Sequence, residues 1–97
     1  MPSYLSLASW TDQGARNLKD SPSRLEAFKE TVKGAGGRLI FFYMLMGEHD
    51  FATLIEVPDD ATAARVLLEL GRLGNVRTHT MKAFTEEEYR QIIGSLS

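Results

Sequence analysis

An unbroken apolar run bounded by glycines is the feature that most constrains the fold of this chain. Residues 38–46 contain three aromatic rings, with Gly37 before the run and Gly47 after it. A run of this length and composition is typical of a buried strand rather than of a helix. Strict alternation along it predicts two apolar faces. They are Leu39, Phe41, Tyr43 and Leu45 on one side, and Ile40, Phe42, Met44 and Met46 on the other.

Two apolar faces on one strand predict that both faces of the sheet are covered. In a two-layer domain, helices cover one face, and the other face meets water and is normally polar. With 97 residues, the chain has nothing left to cover the second face except a short C-terminal helix. We therefore predict a second copy packed sheet against sheet, in a homodimer or a higher oligomer. The alternative is that the C-terminal helix folds over the open face.

The rest of the sequence predicts alternating strands and helices. Strands are expected at 4–10, 38–46, 51–57 and 76–83, and helices at 21–34, 60–70 and 85–94. Ser21 is the expected N-cap of the first helix, Asp59 or Asp60 caps the second, and Thr85 opens the third with a capping box to Glu88. The order β-α-β-β-α-β plus a terminal helix predicts a single α+β domain over 1–97. It matches the ferredoxin-like motif, with a four-stranded antiparallel sheet.

Composition limits the classes of partner. The net charge is −2, which argues against a nucleic-acid-binding surface. The chain has no cysteine, so disulfides and thiolate metal sites are excluded. No apolar run approaches the ~20 residues that span a bilayer, and the first residues lack a signal-peptide pattern. We expect a cytoplasmic protein that binds neither nucleic acid nor membrane.

Three polar residues are candidates for catalysis. His49 and Asp50 lie in the turn between the second and third strands, and His79 lies on the fourth strand. A carboxylate or a neutral imidazole aimed at an apolar cavity can transfer a proton. The structural alternative for Asp50 is that it accepts hydrogen bonds from nearby backbone, and each histidine can equally be a surface residue. The spacing of the histidines indicates no metal site, and we predict no cofactor.

Five side chains are candidates for binding a small molecule between the sheets. They are Tyr4, Trp10, Tyr43, Arg77 and His79. Amphipathic rings with a cation are typical of such sites, although rings on a sheet also serve as core. The site requires Tyr4, Ser6, Ala8 and Trp10 to face away from the helices, with Leu5 and Leu7 toward them. Alternation on the fourth strand leaves open whether His79 or its threonine neighbours face the second copy.

Several separated blocks of the sequence resemble the GYD domain family. The blocks are residues 12–22, 47–51, 56–60, 73–80 and 83–85. The chain departs from the motif for which the family is named, because Glu48-His49 stands where the family has a residue followed by Tyr. The resemblance implies a dimeric α+β barrel assembly and no particular reaction.

Segments 47–50 and 74–80 are also similar, more loosely, to the effector-binding domain of leucine-responsive regulators, which binds small metabolites at subunit interfaces. We therefore expect a homo-oligomeric domain that binds a small, partly apolar metabolite between its sheets. A cofactor-independent mono-oxygenase or isomerase of the dimeric α+β barrel type is the enzymatic alternative. A purely structural or protein-interaction domain is the third.

Overall fold

The computed structural model describes residues 1–97 and confirms the predicted α+β fold. Its elements are β1 (Ser3–Trp10), α1 (Asp12–Arg16), a 3-10 turn (Leu18–Asp20), α2 (Ser21–Gly34), β2 (Arg38–Met44), β3 (Phe51–Glu56), α3 (Asp60–Arg72), β4 (Val76–Ala83) and α4 (Glu86–Gly94). The four strands form one antiparallel sheet in the order β2-β3-β1-β4. This is the ferredoxin-like arrangement, in which β4 lies beside β1.

Local capping chemistry fixes where the helices begin. The Asp59 carboxylate accepts a hydrogen bond from the backbone N–H of Thr62 at 2.8 Å, so Asp59 is the N-cap of α3. Thr85 and Glu88 form the predicted capping box at the start of α4. The prediction that Ser21 caps α2 is wrong. Ser21 is already helical, because the 3-10 turn before it runs directly into α2 from Asp20, whose side chain makes no capping bond.

The end of α2 is set by glycine. Gly36 adopts φ +86°, and its N–H bonds to the carbonyl of Lys33, while the N–H of Gly37 bonds to that of Val32. This pair of bonds is a Schellman motif, which satisfies the last helical carbonyls. The chain then passes so close to β3 that a Cβ on Gly37 would lie 2.1 Å from the carbonyl oxygen of Glu56. The predicted end of this helix at residue 34 is therefore confirmed.

Strand β2 departs from the strict alternation expected of it. It ends at Met44 rather than Met46, and a β-bulge interrupts its pairing with β3 between Leu39 and Phe41. Leu39 pairs with Ile55 and Phe41 with Leu54, so Ile40 is the extra residue. The bulge shifts every later residue of β2 by one, which places Phe42 rather than Phe41 on the same face as Leu39.

Tyr4 faces the helices, so the prediction that it points away from them is wrong. It is 5% exposed and belongs to the hydrophobic core. The core residues are Tyr4, Phe28, Val32, Ile55, Val57, Ala63 and Val66. Ser6 and Ala8 are also almost fully covered, which shows that small residues occupy the helix side of this central strand. Leu5 and Leu7, assigned to the core because they are the most hydrophobic residues of β1, lie on the opposite face.

The segment after β1 docks against the turn between α3 and β4. The backbone N–H of Thr11 bonds to the carbonyl of Asn75 at 3.0 Å, and its hydroxyl donates to that of Gly74 at 2.6 Å. Gly14 of α1 is buried there, and a Cβ on it would lie 2.1 Å from the Asn75 carbonyl oxygen. This contact holds the end of β1 in place.

The C-terminal helix α4 does not cover the sheet, so that alternative to a second copy is wrong. The helix makes no substantial contact with another element, and the molecule is elongated, measuring 53 × 31 × 18 Å. The large apolar side chains of its C-terminal segment are 46–68% exposed. They are Tyr89, Ile92, Ile93 and Leu96. The open face of the sheet is therefore free in the single chain.

Candidate functional site

The open face of the sheet, on the side away from α2 and α3, carries two apolar rows that cross all four strands. Directly paired residues of antiparallel strands share a face, so the strand register defines the rows. The first row is Phe41, Leu54, Leu5 and Met81, and the second is Tyr43, Ala52, Leu7 and His79. The strand register therefore places seven apolar side chains and one imidazole on a face of the sheet that the single chain leaves exposed to water.

Exposure increases from the centre of these rows to their edges. Ala52 is buried and Leu5, Leu7 and Leu54 are half-buried. At the edge strands, Tyr43 is 63% exposed and Met81 46% exposed. A contiguous apolar surface of this kind marks an interaction site in soluble proteins.

The rim of the open face is charged. At one end, Arg38 donates a hydrogen bond to Glu56 at 2.9 Å, across β2 and β3. At the other end, Arg77 lies opposite Ser9 and is exposed. An apolar centre with a polar rim is the usual anatomy of a protein interface.

The structure brings His49 and His79 together on this face. Their rings meet edge to face with centroids 5.7 Å apart. His79 is exposed on β4, whereas His49 is half-buried and its Nδ1 atom is buried without a hydrogen-bond partner. No group of three or more His, Asp or Glu side chains is placed to hold a metal ion. No local pattern indicates this pairing, because thirty residues separate the two histidines.

Asp50 lies beside the histidine pair in sequence but turns its carboxylate into the backbone. Its Oδ2 accepts a hydrogen bond from the backbone N–H of Trp10 at 2.9 Å, and its own N–H donates to the carbonyl of Ala8 at 2.8 Å. Asp50 therefore extends the pairing of β1 and β3 by one residue. The arrangement is the structural role considered for Asp50, and its carboxylate is engaged rather than aimed at the open face.

The five candidate ligand residues are divided between the two sides of the sheet. Tyr43, Arg77 and His79 lie on the open face. Tyr4 and Trp10 lie on the helix side, where Trp10 borders a cavity of about 230 Å³ between the sheet and helices α2 and α3. Reasoning from the sequence missed this cavity because it assigned β1 the opposite orientation.

Tyr4 joins a small polar network at the start of α3. Its phenol donates a hydrogen bond to the Asp60 carboxylate, and Lys82 forms an ion pair with the same carboxylate at 3.2 Å. Burial, reinforced by the hydrogen bond to Asp60, raises the pKa of Tyr4 to about 12. The hydrogen bond from Tyr4, with the contact to Lys82, lowers the pKa of Asp60. The network anchors β1 to α3 on the side away from the apolar rows.

Comparison with known proteins identifies relatives of this chain. The model of a protein family described as the GYD domain matches residues 4–93. A Thermus thermophilus protein named glutamine synthetase and cystathionine beta-lyase binding protein is 37% identical over 84 residues, which are 86% of this chain and 88% of that protein. The crystal structure of TTHA0845 from the same organism matches 88% of this chain and 95% of its own, with a TM-score of 0.54. At 21% identity it shows the fold alone. None of the helices is long and apolar enough to cross a membrane.

Proposed function

This chain belongs to the GYD domain family, and from that premise we propose that it is a homodimeric protein-binding domain. Its partners are enzymes of the kind for which its Thermus relative is named, glutamine synthetase or cystathionine beta-lyase. The observation that carries the proposal is the pair of apolar rows across the open face, which the chain itself leaves uncovered.

A second copy is the occupant that best fits this face. In a two-fold dimer the same patch serves both subunits, so it must complement itself. The rows are apolar throughout except for His79, and the charged groups Arg38, Glu56 and Arg77 stay at the rim. Burying one Leu, Phe or Met side chain contributes roughly 1.5–3 kcal/mol. Leaving several such side chains of each copy in water would therefore cost more free energy than a domain of this size can lose and remain folded.

Helix α4 is the element that we assign to the enzyme partner. Its capping box stabilises the helix without help from the rest of the chain. Tyr89, Ile92 and Ile93 recur at helical spacing, and Leu96 follows just after the helix ends. All four are about half-exposed or more, which leaves an apolar surface with no partner in the chain. An amphipathic helix of this kind docks into a groove of another protein.

A small-molecule site between the paired sheets would follow from the same dimer. Tyr43 and His79 end the second apolar row at opposite edges, and Arg77 lies near His79 on β4. His49 lies against the His79 ring beside this row. These groups provide donors and acceptors within an apolar seam, as binding sites for partly apolar metabolites do.

The dimer is tested by light scattering coupled to size-exclusion chromatography at micromolar concentration. The expected mass is about twice the 10.8 kDa of one chain. Met81→Glu, at the exposed edge of the first row, should convert the dimer to a monomer that keeps its circular dichroism spectrum. The matched control is Leu68→Glu, because Leu68 is 72% exposed on α3, on the other side of the sheet. A wild-type monomer, or a dimer that Met81→Glu does not weaken, would contradict the proposal.

The enzyme partner is tested with purified glutamine synthetase and cystathionine beta-lyase from the same source as the chain. Immobilised wild-type protein should bind at least one of them. Ile92→Asp should reduce that binding at least tenfold without changing the dimer mass, whereas Gln91→Asp on the same helix should not. Failure of both enzymes to bind would refute the partner. Loss of the dimer in Ile92→Asp would show that α4 belongs to the subunit interface instead.

A further inference from the structure

The cavity on the helix side of the sheet lies where the core is thinnest. The core residues cluster at the end of the sheet where β1 begins, around Tyr4 and Ile55. Near the other end, a cavity of about 230 Å³ lies between the sheet and helices α2 and α3. This is about one and a half times the ~150 Å³ apolar cavity that accommodates benzene. The space therefore suits a ligand of one substituted aromatic ring.

Three aromatic rings line the sheet side of this cavity in a row. Phe42 stacks on Phe51 with centroids 5.2 Å apart, and Phe51 contacts Trp10 at 5.9 Å. All three rings are only half-buried, although they point toward the helix layer. Flat π-faces left accessible in this way offer stacking and edge contacts to a further ring.

A hydroxyl group without a partner lies among these apolar groups. Thr53 borders the cavity, is 5% exposed and makes no side-chain hydrogen bond within the chain. Its neighbour on the same face, Ser6, is satisfied by Thr80, with their oxygens 2.7 Å apart. The buried side-chain atom without a partner is Nδ1 of His49, so the unpaired hydroxyl of Thr53 is not sealed in the core but reaches the cavity wall, where a polar atom of a ligand can pair with it.

Both charged groups around the cavity are engaged by other groups of the chain. Only two charged residues line it, Arg24 and Glu69. Arg24 donates to the carbonyl oxygens of Asn17 and Gly14 at 2.8 and 3.3 Å, and Glu69 forms an ion pair with Arg72 at 3.0 Å. Arg24 has no carboxylate partner, whereas the Glu69 carboxylate is already paired, so a cationic ligand would lose its hydration without gaining a free counter-charge and the site excludes it.

From these observations we infer that the helix-side cavity binds a small aromatic molecule that carries one hydrogen-bonding group and no positive charge. The ring stacks beside Trp10, Phe51 and Phe42, and its polar group pairs with the hydroxyl of Thr53. The site lies on the opposite side of the sheet from the proposed dimer interface. It therefore does not depend on the proposed function and remains testable if that function fails.

Trp10 is the only tryptophan in the chain and borders the cavity, so its fluorescence reports on occupancy. Three probes share one ring and separate the contributions: p-cresol has a neutral hydroxyl, toluene has none, and 4-hydroxybenzylamine adds a positive charge. We expect saturable quenching by p-cresol, about tenfold weaker binding of toluene and no saturable effect of 4-hydroxybenzylamine. Equal effects of all three probes, or a linear effect of p-cresol, would overturn the inference.

Thr53→Val tests the hydroxyl, because valine keeps the shape of threonine. The variant should lower the affinity for p-cresol about tenfold, to the level of toluene, and leave the affinity for toluene unchanged. If p-cresol keeps its advantage over toluene in this variant, Thr53 is not the partner and the inference is wrong. If the variant does not fold, the comparison of the three probes on the wild-type chain still decides the question.

Discussion

The side chain of Asp50 holds the end of β1 through one hydrogen bond, in which its Oδ2 atom accepts the backbone N–H of Trp10 at 2.9 Å. Replacing Asp50 with Ala leaves that N–H without a partner in a half-buried position. We expect Asp50→Ala to lower the free energy of unfolding by about 1–3 kcal/mol. Urea denaturation followed by circular dichroism measures the change.

Two further variants separate this structural role from a role in binding. Asp50→Asn keeps an acceptor oxygen and should lose less stability than Asp50→Ala. Glu48→Ala, in the same turn at an exposed position, should change stability by no more than about 0.5 kcal/mol. An Asp50→Ala protein with unchanged stability but lost binding of a ligand would show that the carboxylate acts on the ligand instead.

The turn before Asp50 requires glycine at position 47 because of the backbone conformation there, and not because a side chain would clash. Gly47 has φ +155°, and a Cβ added there would meet no atom within 4 Å. We expect Gly47→Ala to destabilise the protein by about 1–2 kcal/mol through strain. Gly71 is the matched control, because it lies within α3 with equally open surroundings. Gly71→Ala should stabilise by up to about 1 kcal/mol, and thermal melts of the pair should therefore move in opposite directions.

The fold could be predicted from local patterns, whereas the orientation of β1 could not. Capping residues and the alternation of apolar and polar side chains are local signals, and they predicted the sheet and every element except the short helix α1 and the 3-10 turn. For β1, hydrophobicity favoured Leu5 and Leu7 as core over Ser6 and Ala8. The structure has the reverse, because the open face is also apolar and hydrophobicity no longer distinguishes the two sides. As a consequence, the five candidate ligand residues lie on both sides of the sheet, with Tyr4 and Trp10 on the helix side.

Contacts between residues distant in sequence carried no local signal at all. The edge-to-face contact of His49 with His79 forms only in the folded sheet, where the turn between β2 and β3 comes close to β4. The docking of Gly14 under Asn75 likewise depends on the assembled sheet. Helix α1 differs, because it begins with a local cap in which the Thr11 side chain accepts a hydrogen bond from the N–H of Gly14.

The network of Tyr4, Asp60 and Lys82 should make stability depend on pH at both extremes. The pKa of Tyr4 is raised from 10.0 to about 12. Its contribution is therefore full below pH 10 and lost as pH rises toward 12. The pKa of Asp60 is lowered from 3.8, so its contribution is present above that value and lost as pH falls below it. Tyr4→Phe should flatten both limbs of the profile of unfolding free energy against pH.

The control for that profile is Tyr43→Phe, because Tyr43 is 63% exposed on the other side of the sheet. This variant should leave both limbs as they are in the wild-type protein. A Tyr4→Phe protein that retained the full acid limb would show that Lys82 alone maintains the lowered pKa of Asp60.

The bulge in β2 yields a prediction about chain length. Ile40 has no partner on β3, because Leu39 pairs with Ile55 and Phe41 with Leu54. Deleting one residue from a regular strand moves its remaining side chains to the wrong face. Deleting Ile40 instead restores a regular ladder, with every existing pair retained and Leu39 and Phe41 still on opposite faces.

We therefore expect the chain lacking Ile40 to fold cooperatively and keep its open face. The matched control is deletion of His79 from β4, the other edge strand, whose pairing with β1 is continuous from Val76 to Ala83. That deletion turns part of β4 over and should abolish the cooperative thermal transition. Circular dichroism melts and the mass in solution distinguish the two variants. Equal loss of folding in both would mean that the bulge is itself required, for the bend that it gives β2 rather than for its pairing.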